Sequence, residues 1–570
     1  MPLLRLPVTR VRVLLPLLVA TVLAGAALPA SAAGPSGAVR ASGFPAGYEG
    51  YHTYAEMVAE LDRAVADHPR IVRKFSIGRS YEGRRLWAAK ISDNVNLDEN
   101  EPEALFDSLT HGREHLTVEM NLYLLELLTD GYGTDARITD IVNSREIFLI
   151  FMLNPDGGEY DIAGDEFAFW RKNRQPIVGS TQIGVDLNRN FGFKWGCCNG
   201  SSQRPREETY RGWAAWVAPE VRAYRDFIRS RVVGGRQQIR VAISWHSSSE
   251  LILWPYGYTA DVGVRTMTVE DRRTFEALGM AMAETNRYTP HRSFQLYATD
   301  GDQISWSHYE QRIFHFTFEM YPAEIDFYPL AKYIPGQVAR NREAVLYLLE
   351  QAACPYRAAG LGATLCGPLA DDFEIGRGWA VNPYRTDTAR SGRWQRGLPG
   401  QTRDSGGVKQ RSGVPSGQSA FATGLAAGRT AAANDLDGGT TSLLSPAFRL
   451  APGSSWRLFM LYYLAHDARA TSADYLRVSV VDGSRRTPLW SVAGRRQNRN
   501  ATWSSRTLNL DAFAGRTIRL LFEAADGGSG NLVEAALDDV RVYSPTAAAV
   551  GVAYPAAPPL RGVVAGVYLA

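Results

Sequence analysis

The chain has 570 residues, 45% of them hydrophobic and 21% charged, with a net charge of only +3. That length exceeds one ordinary core and predicts two domains, and the composition is that of a globular protein. Near-neutral charge, with no basic run and no acidic tail, argues against a nucleic-acid or membrane-surface partner.

At the N-terminus, Arg5, Arg10 and Arg12 precede the apolar run "VLLPLLVATVLAGAAL", and Ala30-Ser31-Ala32 supplies a small-x-small cleavage pattern. This is the layout of a secretory signal, expected over residues 1–32. The run is short and contains Pro16, which disfavours a membrane anchor. The mature chain is then exported with no membrane attachment, and residues 33–47 read as a linker.

From residue 48 to 356, helical and extended patterns alternate. "AEMVAELDRAVADHP" has the helical period, "ALFDSL" (104–109) reads as a short half-buried strand, and "LTVEMNLYLLELLTD" again places apolar residues three and four apart. "EIFLIFMLNPDG" and "IRVAISWHS" read as buried strands ending at polar loops, and "TFEALGMAMAETNRY" as another amphipathic helix. This alternation predicts an α/β domain with a parallel or mixed sheet, whose site gathers at strand ends.

Residues 357–368 are expected to form a linker, after which the pattern changes. "LRVSVVDG", "PLWSVAG", "WSSRTLNLDAF", "TIRLLFEAADG" and "AALDDVRVY" are short alternating runs between Gly, Asp and Asn, so residues 369–545 predict an all-β sandwich. Residues 546–570, rich in Ala, Pro and Gly, are expected to be a loose tail.

Export permits disulfides among the four cysteines. Cys354 and Cys366 flank a Gly-rich loop and are the better pair. Cys197 and Cys198 are adjacent, and two free thiols stay open beside a vicinal bridge. Without a C-x-x-C cluster, a cysteine-held zinc is not expected.

The stretch "SLTHGREHLTVEM" packs two histidines, an arginine and two glutamates where a strand hands over to a helix. His111 and Glu114 form an H-x-x-E pair whose side chains can converge on one ion, and His246 at the end of "VAISWH" offers a third ligand. Further pieces follow in order: Arg171 in "WRKNR", Asp186, Asn188 and Arg189 in "GVDLNRNFG", Tyr297 in "LYATDGDQISW" and Glu319 in "FHFTFEM".

With these segments, and with "KFSIGRSYEGRRLWAAKISDN", "LNPDGGEYDI" and "ELILWPYGY", the chain resembles the zinc carboxypeptidases of the carboxypeptidase A/B family. It is most similar to the bacterial carboxypeptidase T branch. The resemblance implies a central eight-stranded mixed sheet flanked by helices. It implies one catalytic zinc on His111, Glu114 and His246, with Glu319 as general base and Arg171 stabilising the oxyanion. Asn188, Arg189 and Tyr297 would grip a peptide's terminal carboxylate, Arg113 and Ser247 would line substrate subsites, and Asp186 would orient a ligating histidine. Ile304 stands where basic-preferring members carry an acid, which implies large apolar C-terminal residues. Asp302 matches a pocket acid of the carboxypeptidase T branch, which implies that Lys and Arg are accepted too. Ser248 departs from the family's usual tyrosine.

Clustered oxygens at Asp93, Asp98, Glu99, Glu101 and Glu103 match a calcium loop of that branch; a solvated acidic loop is the alternative. The C-terminal segment resembles a jelly-roll, MAM-like module whose ligand the sequence does not disclose. The expected product is a secreted, monomeric metallocarboxypeptidase acting on peptide and protein C-termini. A cell-wall peptide or amide hydrolase on the same fold is the alternative, and an inactive binding protein is disfavoured by the intact ligands and base.

Overall fold

The computed structural model describes residues 43–545, apart from residues 100, 234–235, 375 and 529. The expected signal segment and C-terminal tail lie outside the described residues. No described helix is long and apolar enough to cross a membrane.

Eight strands form the first sheet: β1 (Val72–Arg79), β2 (Arg85–Ile91), β3 (Glu103–Asp107), β4 (Glu146–Ile150), β5 (Ile239–Ser247), β6 (Leu251–Trp254), β7 (Thr289–Arg292) and β8 (Phe314–Met320). Their spatial order is β1-β2-β4-β3-β5-β8-β6-β7. The central strands β4, β3, β5 and β8 run parallel, and β1–β2, β2–β4 and β8–β6 are antiparallel. The sheet is therefore mixed, as expected from the resemblance.

Helices α1 (Tyr54–Asp67), α2 (Leu116–Gly131), α3 (Pro219–Ser230), α4 (Val269–Asn286), α5 (Gln303–Gln311) and α6 (Arg342–Gln351) accompany the sheet. Two apolar layers result. One packs Phe106, Leu124, Leu128, Trp245, Phe275 and Phe316; the other packs Leu105, Phe148, Leu187, Val221, Tyr224 and Trp306. Neighbouring positions of β3 enter opposite layers, so this strand is buried throughout rather than half-buried as its pattern predicted. A central parallel strand covered on both faces loses the polar alternation that would mark one wet side. Helix α1 starts at a capping box, with Thr53 accepting from the Glu56 N–H and Glu56 accepting from the Thr53 N–H.

The strand ends opposite the site carry a buried ionic knot. Glu103 and Glu146 are register partners at the starts of β3 and β4, and neither is exposed. Arg231 donates to both Glu103 oxygens, and Lys90 Nζ lies 2.7 Å from Glu146 Oε1. Lys90 Nζ also donates to the Leu97 carbonyl, and the Glu99 N–H donates to Glu146 at 2.8 Å. Burial pushes the Glu103 carboxyl up to about 7 against the pull of Arg231, so this charge depends on its cation.

The remaining described chain forms two large antiparallel sheets and a small hairpin of Thr402–Asp404 with Gly407–Gln410. One large sheet places Trp394–Gly397, Ala420–Thr423, Val533–Tyr543, Arg457–His466 and Ser504–Asn509 side by side; the other places Ala380–Val381, Gly439–Leu444, Thr517–Asp526, Tyr475–Asp482 and Arg485–Ala493. Phe421, Leu458, Met460 and Leu537 from the first meet Leu443, Leu476, Val480, Leu520 and Phe522 from the second in one core. The expected linker is not extended: Pro355–Ala359 and Gly362–Leu365 are helical turns within the loop closed by the Cys354–Cys366 bridge. Cys197 and Cys198 are also bonded, so the open alternative of two free thiols is not what this fold contains. Arg312 reaches from the first unit of structure to Asp372 at 3.4 Å, and the Tyr356 hydroxyl donates to Asp271 at 2.6 Å.

Replacing Lys90 with Met leaves the buried Glu146 charge with the Glu99 N–H and, as its cation, only a long contact to Arg231. Stability should fall by about 3 kcal/mol, the scale of removing one partner from a buried pair. Thermal unfolding would show it, with zinc content unchanged.

Candidate active site and metal centre

The loop after β3 turns sharply at Leu109, whose φ is +52°, and delivers His111 and Glu114 above the ends of the parallel strands. Asn154, the N-cap of the short helix Pro155–Asp161, holds that loop in place. Its Oδ1 accepts from the Gly157 N–H at 3.0 Å, while its Nδ2 donates to Thr110 O at 3.3 Å and Lys172 O at 3.1 Å. Gly112 donates its N–H to Arg171 O at 3.0 Å, and a Cβ there would fall 2.5 Å from the Gly157 backbone. Only glycine fits so close a backbone approach. The "LNPDG" segment thus ties two site-bearing loops together, a role that its sequence did not announce.

His111, Glu114 and His246 converge from the β3 loop and the end of β5, all buried. Their ligand atoms lie within 4.8 Å of one another. His111 Nδ1 is 2.7 Å from Glu114 Oε1, His246 Nδ1 is 2.9 Å from Glu114 Oε2, and the two Nδ1 atoms are 3.1 Å apart. Two imidazole nitrogens and one carboxylate aimed at a common point match the donor set of a catalytic zinc with an open fourth position. Asp186 Oδ1 sits 3.2 Å from His111 Nε2. A carboxylate there favours the tautomer that leaves Nδ1 free to ligate. Burial and the facing Arg171 lower the His111 pKa, favouring the neutral form that a ligand needs. Burial alone would raise Glu114, yet the two imidazoles hold it well below the usual carboxylate range.

Glu319 stands on β8 opposite His246 in the parallel register. It is half-buried, and burial pushes its carboxyl up to about 7. Arg171 Nε and Nη2 donate to Asp186 Oδ2 at 3.1 and 3.0 Å. Burial would lower Arg171, but Asp186 and its neighbours reverse this and raise it, so the guanidinium stays charged.

The turn Leu187–Arg189 is capped by Asp186, whose Oδ1 accepts from the Asn188 N–H at 3.0 Å. Asn188 Oδ1 accepts from the Gln303 N–H at 2.9 Å, which fixes the rotamer of the side-chain amide. Arg189 is buried, and its Nε donates to Gly200 O at 2.9 Å and its Nη1 to Asn188 O at 2.7 Å. Tyr297 is 48% exposed, with its ring 5.9 Å from the Arg189 Cζ. Arg113 lies over the Phe327 ring at 4.1 Å and pairs with Glu208 at 2.7 Å. Ser247 is buried next to His246, and its hydroxyl has no hydrogen-bond partner among the described residues.

Two expected pocket residues do further work. Asp302 caps α5, accepting from the Ser305 N–H at 2.8 Å and the Thr299 hydroxyl at 3.1 Å. Ile304 is buried on the first turn of α5. His115 and Glu119 stay outside the metal group: His115 pairs with Asp161 at 3.0 Å, and Glu119 with His52 at 2.8 Å.

The acidic loop does not act as the single cluster that the sequence suggested. Asp98 and Glu103 go to the Arg231 guanidinium. A guanidinium within reach competes directly for oxygens that would otherwise ligate an ion. Asp93, Glu99 and Glu101 bring ligand atoms within 4.8 Å of one another; Asp98, Glu103 and Glu146 do so too, but Arg231 and Lys90 already pair with that group. Burial, then Glu99 and Asp93, push Glu101 up to about 7.

Residues 57–344 match the family described as zinc carboxypeptidase. The chain is similar to the zinc carboxypeptidase of Saccharothrix mutabilis subsp. capreolus, 47% identical over 319 residues, which are 56% of this chain and 73% of the relative. It is also similar to bovine carboxypeptidase A1, 32% identical over 48% of this chain and 63% of that protein. Among solved structures, carboxypeptidase A from Helicoverpa armigera aligns at TM-score 0.47 and 26% identity, over 54% of this chain and 74% of that one. With half of its length inside the family match, this chain belongs to the zinc carboxypeptidases, metallocarboxypeptidase hydrolases whose catalysis uses a zinc ion.

Proposed function

We propose that the protein is a secreted exopeptidase of broad specificity, akin to the carboxypeptidase T branch, which removes single residues from peptide and protein C-termini. The observation that carries this reading is the joint placement of the convergent His111–Glu114–His246 group and the buried Arg189 on one side of the strand ends. Zinc held by those three ligands would polarise the scissile carbonyl and acidify an attacking water.

The chain's own residues would do the rest. Arg189 and Asn188, with Tyr297 from the facing loop, grip the terminal carboxylate; a guanidinium binds both oxygens of a planar anion. Glu319 takes the proton from the attacking water and returns it to the leaving amine. Arg171, already charged and oriented by Asp186, faces the oxygen that becomes negative, and a preset cation there acts mainly in the transition state. Arg113 and Ser247 contact the substrate upstream of the scissile bond. Ile304 supports large apolar side chains in the terminal pocket, and the Asp302 carboxylate adds Lys and Arg. Calcium in the Asp93–Glu99–Glu101 group would offset the mutual repulsion there. Export through the N-terminal segment, a monomeric state and a MAM-like character for the C-terminal β domain complete the reading.

Replacing Glu319 with Gln should lower kcat about 10³-fold while zinc content stays at one ion per chain. In the parent enzyme, a base with a raised pKa is lost as pH falls through that value. The acid limb of kcat/KM should therefore lie above the ordinary glutamate value of about 4.3 and vanish from the residual activity of the Gln variant.

Blocked dipeptides ending in Phe or Arg, each as free acid and as amide, test the anchor and the pocket. Both free acids should be cleaved and both amides spared. Replacing Asp302 with Ala should cost the Arg substrate about tenfold more than the Phe substrate; equal losses would reduce Asp302 to a helix cap.

Calcium should raise the melting temperature, and replacing Glu101 with Gln should remove most of that gain. The folded-state pKa of Glu101 is raised. Without calcium, this group therefore destabilises the fold above pH 7 and ceases to do so as pH falls below the ordinary glutamate value. The calcium-dependent gain should shrink on acidification.

A further inference from the structure

Asp300 takes no part in the reading above, yet it is completely buried behind the residues assigned to the substrate carboxylate. Its Oδ1 accepts from the Gly196 N–H at 3.2 Å and from the Ser201 hydroxyl. Its Oδ2 accepts from the Cys198 N–H at 3.0 Å and the Gly200 N–H at 2.9 Å. Among the described residues no Lys, Arg or His forms an ion pair with it. The charge is held by the N–H groups of one loop, a concave arrangement that suits an anion. This loop includes the bonded Cys197–Cys198 pair.

What that loop presents in turn is the Gly200 carbonyl, which accepts from Arg189 Nε at 2.9 Å. The two segments touch backbone to backbone, since a Cβ on Gly200 would fall 2.4 Å from the Thr299 carbonyl carbon. The residue after Asp300 secures the same arginine from its other end. Gly301 has φ +64°, and a Cβ there would lie 2.6 Å from Arg189 O; its carbonyl accepts from the Phe191 N–H at 2.9 Å. Two residues further on, the Gln303 N–H fixes the Asn188 amide, and Gln303 Nε2 is itself held by the buried Asp107 at 2.8 Å. Residues 300–303 therefore brace both Asn188 and Arg189, and they run directly into Ile304.

We propose that Asp300 is a positioning residue for exopeptidase recognition: by gathering loop 196–201 onto its carboxylate, it sets the Gly200 carbonyl that aims the Arg189 guanidinium at the substrate's C-terminal carboxylate. This rests on the assignment of Arg189 as the carboxylate anchor. An amide cannot replace the carboxylate here. Whichever way the amide of an Asp300→Asn variant turned, its NH₂ would confront two of the four donors, leaving either the Cys198 and Gly200 N–H groups or the Gly196 N–H and Ser201 hydroxyl without an acceptor. None of these four donors bonds to Glu319 or to a zinc ligand, so substrate binding suffers and the chemical step does not.

The test compares the parent enzyme with Asp300→Asn, Ser201→Ala and Arg189→Ala on a blocked dipeptide ending in Phe, as free acid and as amide. Zinc per chain and melting temperature are recorded for each. Asp300→Asn should raise KM for the free acid about tenfold, the scale of a disrupted charged hydrogen-bond set. It should keep kcat within about threefold and narrow the preference for acid over amide. Ser201→Ala, which removes one donor and leaves three, should shift KM and the preference in the same direction by less. If Arg189→Ala keeps the full preference for the free acid, the anchor assignment itself is wrong. If Arg189→Ala loses the preference while Asp300→Asn and Ser201→Ala keep the parent KM and preference, the role of Asp300 is overturned. A fall in kcat at unchanged KM would overturn it too. Should Asp300→Asn not fold, Ser201→Ala decides: a raised KM with narrowed preference supports the role, and parent values reject it.

Discussion

Asp186 carries its charge at zero exposure, a position tolerable only because every part of the carboxylate is used. One oxygen meets His111 and the Asn188 N–H, and the other takes two bonds from Arg171. Burial raises a lone carboxyl, but here Arg171 and His111 hold it far below its ordinary range, which favours the ionised form. One anion thereby fixes the tautomer of His111, the charge and orientation of Arg171, and the start of the turn that carries Asn188 and Arg189. The three arrangements share a single origin, so none can shift without the others.

The sheet supplies the frame on which that origin works. Parallel strands β3 and β5 end side by side, and β8 ends next to β5 with Glu319 level with His246. Parallel strands must be joined by long crossovers, so groups that meet at these ends are far apart in the chain: His111, Asp186, His246 and Glu319. The same parallel order brings Glu103 and Glu146 together at the opposite ends, where Lys90 and Arg231 neutralise them. Aligned strands thus impose charge problems at both ends. One end meets them with fixed salt bridges, and the other with a site suited to an ion.

The loops behind the site are bound to one another by hydrogen bonds more than by apolar packing. Asn154 joins the β3 loop to the Arg171 segment, and Asp300 joins loop 196–201 to the segment leading into α5. Loops of this kind carry function when a rigid scaffold positions them. Buried carboxylates and amides that accept several N–H groups at once supply that rigidity where no helix or strand runs.

Much of this was legible in the residues alone. The H-x-x-E spacing, the histidine closing an apolar strand and the separated motifs in order pointed to the metal group, because ligand chemistry restricts which residues can serve. Alternating helical and extended periods pointed to the mixed sheet, and the short alternating runs after Cys366 to antiparallel sheets. Tertiary structure decided the rest. It divided the acidic loop between Arg231 and the Asp93–Glu99–Glu101 group, since a competing guanidinium 128 residues away from Glu103 leaves no trace in the local sequence. It buried both faces of β3, gave Asp302 a capping bond and gave Asn154 and Asp300 their connecting roles. Local sequence determines which groups are present and how each segment prefers to fold; which groups lose water, and to which partner, depends on contacts between segments that only the closed fold brings together.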